Sequence, residues 1–174
     1  MGNLIDLPAS PEDDVVHVVV ESPAGADAKM KWEPEPGVFT LSRPLPLGLR
    51  YPYDWGFVPG TRADDGDPLD ALVLSDVTTF PGLVIRARPL GVVRLEQNLK
   101  SGQGRERNDR IVALPANATR RAARSFRDLP DRVREEIEAF FVNVAVPEKK
   151  DPVVLGWGDP DEAWDLVRRS IGRV

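Results

Sequence analysis

The order of elements along the chain predicts an α+β fold, with several short strands first and two or more flanking helices after them. Three observations carry that prediction. Apolar runs over most of the chain are short and rich in Val, Ile and Leu, as in Val15 to Val20 and Ile111 to Leu114. Seventeen prolines and fourteen glycines are scattered through the 174 residues, which suits many turns and short strands better than long helices. Apolar residues at helical spacings of three and four gather in the C-terminal third. Strands this short also suit a sheet that closes on itself. A chain of this length is most simply one domain, 1–174, with a core of useful size.

Residues 1–14 are polar and acidic with two prolines, and predict an irregular N-terminal arm. Val15 to Glu21 reads as the first strand. Lys29 to Glu33 alternates charge with apolar bulk, so a strand there puts Lys29, Lys31 and Glu33 on one face. Val38 to Leu41 is its partner across the turn at 34–37, and leads to Arg43. Arg50 to Thr61 is aromatic and carries too many prolines and glycines for a helix. Ala71 to Leu74, Leu83 to Leu95 and Arg110 to Leu114 are further strands, and Lys100 to Glu106 reads as an exposed hairpin tip. Thr119 to Arg127 predicts a short basic helix. Val133, Ile137, Phe140, Phe141 and Val144 mark an amphipathic helix from Asp131 to about Asn143, its apolar side being core packing. After a strand at 152–157, Asp159 is a capping residue, with Pro160 at the first helical position and Glu162 at the third. A terminal helix to about Ile171 follows.

Composition excludes several kinds of function. The net charge of −5, with a pI of about 5.0, argues against general affinity for nucleic acid, which needs a cationic surface. The sequence shows no long apolar run and no signal-peptide pattern, so neither a membrane span nor secretion is expected. Cysteine is absent, which removes thiolate chemistry and suits a cytoplasmic setting. The one histidine, His17, sits within the first strand, so a Ser-His-Asp triad or a zinc site built on several histidines is not expected.

The densest chemistry lies in Asp64 to Asp70, where four carboxylates fall within seven residues around Gly66 and Pro68. Carboxylates so close repel unless a cation lies between them, and hard divalent ions prefer oxygen ligands. A solvated acidic turn uses the same residue types for backbone reasons alone. The heptapeptide by itself leaves both readings open.

In its order and spacing the chain resembles the soluble inorganic pyrophosphatases. The likeness runs through Glu21, Lys31, Glu33, Arg43, Tyr51-Pro52, Trp55-Gly56-Phe57, Pro59, Asp65-Gly66-Asp67-Pro68-Leu69-Asp70, Pro81-Gly82, Arg86 and Arg88-Pro89-Leu90-Gly91, and covers roughly residues 15–171. It implies a five-stranded OB-like closed β-barrel with additional short strands and flanking helices. It also implies hydrolysis of diphosphate by a water held between two Mg²⁺ ions, with Mn²⁺ or Zn²⁺ as substitutes. By this resemblance Asp65 and Asp70 ligate metal, and Asp67 accepts the proton of the attacking water. Lys31 and Arg43 hold phosphate oxygens, Glu21 and Glu33 orient these cations or bind a further Mg²⁺, and Tyr51 supplies a hydroxyl. A homo-oligomer is also implied.

The second half of the pattern departs from the family. Two further metal-binding aspartates and a lysine are expected after the Arg-Pro-x-Gly strand. Alignment puts Gln97 and Asn108 at the aspartates and Arg110 at the lysine, with an insertion through Arg107 between them. A shift by one residue brings Glu96 and Asp109 to those places but turns Arg110 away. A Tyr-Lys pair expected after Phe140-Phe141 falls on Val144 and Ala145, and Trp55 stands where a second tyrosine is usual. Each charged hydrogen bond lost to phosphate costs about 1.5 to 3 kcal/mol, or about one to two decades of rate when it acts in the transition state. The reading is therefore a diphosphatase with an altered metal site. Its alternatives are a weak or inactive binder of phosphate, pyrophosphate or a protein partner, and a phosphohydrolase of changed substrate.

Overall fold

A computed structural model describes residues 3–99, 101–118 and 122–172. Nine strands and two α-helices are found among them: β1 Val16–Ser22, β2 Ala28–Glu33, β3 Val38–Pro44, β4 Asp54–Val58, β5 Leu69–Val73, β6 Val84–Asn98, β7 Arg105–Arg107, β8 Arg110–Pro115, α1 Asp131–Val144, β9 Val153–Gly158 and α2 Pro160–Ser170. Five strands pair in a ring, β1-β4-β5-β8-β6, which the β1–β6 pairing closes. Only β5–β8 is parallel within it. The long β6 makes this possible, because its register shifts between Pro89 and Gly91 and lets it serve β1 at one end and β8 further on. A proline inside a strand is tolerated at such an irregularity, where the missing N–H breaks no ladder bond. β7 and β9 extend the sheet from the far end of β6, and β2–β3 form a separate hairpin.

Both faces of the ring are covered, which explains its near-continuous apolar strands. Leu72, Val112 and Leu114 pack with Ile137, Phe140 and Phe141 of α1. Their neighbours Ala71, Val73, Ile111 and Ala113 pack with Ala163, Leu166 and Val167 of α2. The period-two alternation of β5 and β8 thus divides one run of residues between two cores. At Gly56 a Cβ would lie 1.9 Å from the carbonyl oxygen of Val19, so the close β1–β4 approach requires glycine there.

One expectation needs revision, and three others gain detail. β4 occupies part of the segment whose prolines and glycines excluded a helix, a strand that periodicity did not reveal. The basic helix over Thr119 to Arg127 is not formed where the structure describes it: residues 119–121 lie outside the described residues, 122–125 are irregular, and only Phe126–Asp128 makes a 3₁₀ turn. The cause is local. The Asp128 carboxylate accepts from the backbone N–H groups of Arg124 (2.8 Å) and Ser125 (3.0 Å), and Ser125 Oγ accepts from Arg127 N (3.3 Å), so side chains take the donors a helix would use. The N-terminal arm is irregular apart from a 3₁₀ turn at Leu4–Asp6, yet it is docked: Asn3 bonds the Pro34 carbonyl and the Trp32 indole, and Gly60 N donates to the Ile5 carbonyl. The tip expected at 100–106 pairs back as β7 on β6, Lys100 lying outside the described residues.

Candidate active site

The acidic heptapeptide ends the connection from β4 to β5, its first five residues in a turn and Leu69 and Asp70 on β5. Gly66 takes φ +87°, Asp67 N donates to Asp65 Oδ1 at 3.1 Å, and Ala63 N donates to the Asp67 carbonyl at 2.7 Å. Thr61 anchors the base, its Oγ donating to the Val58 carbonyl (2.6 Å) and accepting from Leu69 N (3.1 Å). Asp70 is thereby fixed on β5 opposite Phe57. Asp64 turns to a different, smaller cavity beside Arg107 and Asp109.

Asp65, Asp67 and Asp70 share a cavity of about 250 Å³ with Glu21, Glu33, Lys29, Lys31, Asn108 and Arg110. Glu21 comes from β1 and is buried, its Oε1 accepting from Trp32 N at 2.8 Å. Burial pushes its carboxyl up to about 7, against the Trp32 hydrogen bond and with help from the Asp70 charge. Burial also raises Asp65, in part offset by the Asp67 N–H. Lys31 lies 3.8 Å from Asp67, an exposed pair worth little on its own. Glu33 accepts from the Thr40 hydroxyl at 3.4 Å.

A second cavity of about 50 Å³ adjoins the first, Lys29, Trp55, Arg110 and Lys150 lining both. Arg43 and Tyr51 sit here. Arg43 donates through Nε (2.8 Å) and Nη2 (2.5 Å) to Glu148 Oε1, and through Nη2 to the Val144 carbonyl (2.9 Å). Tyr51 is buried against Phe140, with ring centroids 5.1 Å apart, and burial raises its hydroxyl pKa against a hydrogen bond with Ser22. Arg110 joins the two cavities: its guanidinium bonds both Asp70 Oδ2 and Asn108 Oδ1 and lies 5.4 Å over the Trp55 ring.

The residues that the two alignments offer lie in different places. Asn108 faces Asp65 and Asp70, and Gln97 lines the smaller cavity with Arg43 and Arg110. Glu96 is bonded to Arg105, and Asp109 accepts from Leu95 N and Arg107, so neither lines these cavities. All ten residues expected at the site therefore line one cavity or the other. Lys29, Glu148 and Lys150 line them as well. Lys29 was signalled by the alternation that places it on the face of Lys31 and Glu33. Glu148 ends a 3₁₀ turn at Val146–Glu148 after α1 and Lys150 follows it, a segment too short for a period to mark a direction.

Among the described residues no three His, Asp or Glu side chains converge closely enough to hold a metal by themselves. The donor set nonetheless suits a hard cation. It consists of carboxylates and an amide oxygen around a roomy cavity, and Mg²⁺ needs only one or two carboxylates because it keeps several of its waters.

The family model for inorganic pyrophosphatase matches residues 18–174. This chain belongs to the inorganic pyrophosphatase family. It is 38% identical over 170 residues to the inorganic pyrophosphatase of Synechocystis sp., covering 97% of each chain. The inorganic pyrophosphatase of Nostoc sp. is 39% identical with the same coverage. Among solved structures, the inorganic pyrophosphatase from Thermus thermophilus superposes with a TM-score of 0.89 at 34% identity, covering 99% of this chain and 98% of that one. The Neisseria gonorrhoeae pyrophosphatase gives 0.85 at 30% identity, covering 97% and 98%. The expected family membership is thus established. No helix among the described residues is long and apolar enough to cross a membrane.

Proposed function

We propose that the protein hydrolyses inorganic diphosphate to two phosphates at the paired cavities. The observation that carries this reading is the grouping of carboxylates and cations around one continuous site. The larger cavity gathers Glu21, Glu33, Asp65, Asp67 and Asp70 beside Lys29, Lys31, Arg110 and Lys150, and the smaller adds Arg43 to the shared cations, with Glu148 as its one carboxylate. A polyanion and the divalent cations that accompany it need both kinds of group within reach. Mg²⁺, with Mn²⁺ or Zn²⁺ as substitutes, suits Asp65 and Asp70 with Glu21, Glu33 and Asn108, and when bound it neutralises phosphate charge and makes water more acidic.

The chain's own side chains divide the remaining work. Asp67, exposed on the turn, accepts the proton of the attacking water. Arg43 offers a planar fork to phosphate oxygens, and Lys31 a single charge beside Asp67. Arg110 spans the two cavities and brings a positive charge to the transferring group, and the Tyr51 hydroxyl, kept protonated all the more firmly by burial, donates from the aromatic wall. The same proposal covers one pyrophosphatase-like domain over 1–174, with the strand ring as an OB-like closed barrel, acting in the cytoplasm as a homo-oligomer.

The deciding measurement is phosphate release from pyrophosphate with Mg²⁺, Mn²⁺ or Zn²⁺, beside Asp67→Asn. Turnover in the wild type and a loss of at least about a hundredfold in the variant are expected. No release with any metal, or equal rates in the two proteins, overturns the reading. A second reading, binding with weak or no turnover, is favoured by one contact: Asp70 and Asn108 are both engaged by Arg110. Calorimetry that detects tight pyrophosphate binding without hydrolysis would select it.

A further inference from the structure

We propose that Lys150 binds a phosphate oxygen of the substrate, as the cation of the smaller cavity supplied from the segment after α1. The inference rests on the reading of the paired cavities as a diphosphate site. The wall formed by the end of α1 brings Phe140, Phe141, Val144 and the following Ala145, none of which has a polar side chain to offer an anion. Lys150 lines both cavities, and its side chain retains 26% exposure, enough for a ligand to reach it.

The backbone around Lys150 is built to aim it. Lys149 and Asp151, on either side, both take left-handed conformations, with φ of +54° and +43°. Such conformations cost non-glycine residues about 1 kcal/mol or more, and persist only where surrounding bonds hold them. Here Asn98 N donates to the Lys150 carbonyl at 2.7 Å, and Arg105 Nη2 donates to the Asp151 carbonyl at 2.9 Å. The inserted hairpin thus clamps the segment that carries the lysine.

Among the described residues Glu148 is the ion-pair partner of this charge. Its Oε2 lies 2.5 Å from Lys150 Nζ, while Oε1 is taken by Arg43. Lys29 acts on the same carboxylate through space, so three cations surround a single negative group. A carboxylate that outnumbered leaves positive charge for an incoming anion, and it holds Arg43 and Lys150 side by side, as two oxygens of one phosphate require. A purely structural ion pair would need neither the third cation nor an opening to the larger cavity.

The test compares the full-length wild type with Lys150→Gln, Lys150→Arg and, as a control on the exposed neighbour, Lys149→Gln. Calorimetric titration with inorganic phosphate should show about tenfold weaker binding in K150Q, most of it restored in K150R, and no change in K149Q. KM for pyrophosphate should rise in step in K150Q. Phosphate binding in K150Q equal to wild type overturns the proposal, as does K150R binding no better than K150Q. A measurement on the wild type alone guards against a variant that does not fold: phosphate should protect Lys150, but not Lys149, from acetylation read by peptide mass spectrometry. Equal labelling of Lys150 with and without phosphate also overturns it. A wild type that binds phosphate through Lys150 yet releases none from pyrophosphate would remove the hydrolytic reading and leave this one standing.

Discussion

Replacing Glu148 by glutamine should destabilise the protein at neutral pH and have little effect in acid. Burial alone would raise the Glu148 carboxyl, but hydrogen bonds from Lys150 and Arg43 outweigh it and hold the group at about 2, against 4.5 ordinarily. That difference corresponds to about 3 kcal/mol of linkage free energy. The pair is not sealed, with side-chain exposures of 20% for Arg43 and 22% for Glu148, and screening by water reduces the observable loss to about 2 kcal/mol. The sign follows from the direction of the shift. A depressed carboxyl contributes stability above its unfolded value, and loses it as the pH falls from about 4.5 to about 2. Urea unfolding of wild type and Glu148→Gln at pH 7, 5, 4 and 3 would therefore give curves whose midpoints converge as the buffer becomes more acidic. A gap that stays constant from pH 7 to pH 3, or no gap at pH 7, would refute the reasoning.

Two further outcomes follow from the same site. Burial raises Glu21 to about 7, so its ionisation opposes folding as the pH climbs from 4.5 through 7; in a chelator, Glu21→Gln should raise the melting temperature at pH 8 and leave it nearly unchanged at pH 4, and destabilisation at pH 8 would contradict this. Arg110→Gln releases Asp70 and Asn108 from the guanidinium, so calorimetry should detect Mg²⁺ binding about fivefold tighter while diphosphate turnover falls, and weaker Mg²⁺ binding would show that Arg110 helps rather than competes.

The site was legible where its residues are close in sequence or share a strand. Asp65, Asp67 and Asp70 lie in one turn, and Lys31 and Glu33 on one face of β2, so spacing alone carries them to the same cavity. Arg43 and Tyr51 required the family resemblance, because separate segments bring them in. Lys150 escaped both routes. Its direction is set by two left-handed residues and by bonds to β6 and to Arg105 of β7, partners some fifty positions away that no local pattern registers. The mistaken basic helix has a similar origin. Arg and Ala favour helix, but Phe126 is buried against Trp157, their ring centroids 5.3 Å apart, and Ser125 with Asp128 caps a new turn there, so tertiary packing and local capping together override propensity.

The polar departures from the family pattern lie around the β6–β7 hairpin and its neighbours, and each of them is hydrogen-bonded. Gln97 donates to Glu106 at 3.1 Å across the inserted hairpin, Asn108 accepts from Arg110, and Asp109 holds Arg107 together with Leu95 N. Arg105 of the same hairpin reaches Glu96 and the Asp151 carbonyl, which ties the insertion to the segment carrying Lys150. Random loss of charged ligands would leave buried polar atoms without partners, each costing about 1 to 3 kcal/mol. Among the described residues the buried side-chain atoms lacking one belong to Asp54, Trp55, Arg88 and Arg134, and only Trp55 borders the cavities. On the alignment that the family resemblance implies, amides stand where two carboxylates are expected and an arginine where a lysine is, while the hairpin holds the loop that carries Lys150, which suits the proposal that cationic side chains carry more of the anion's charge there.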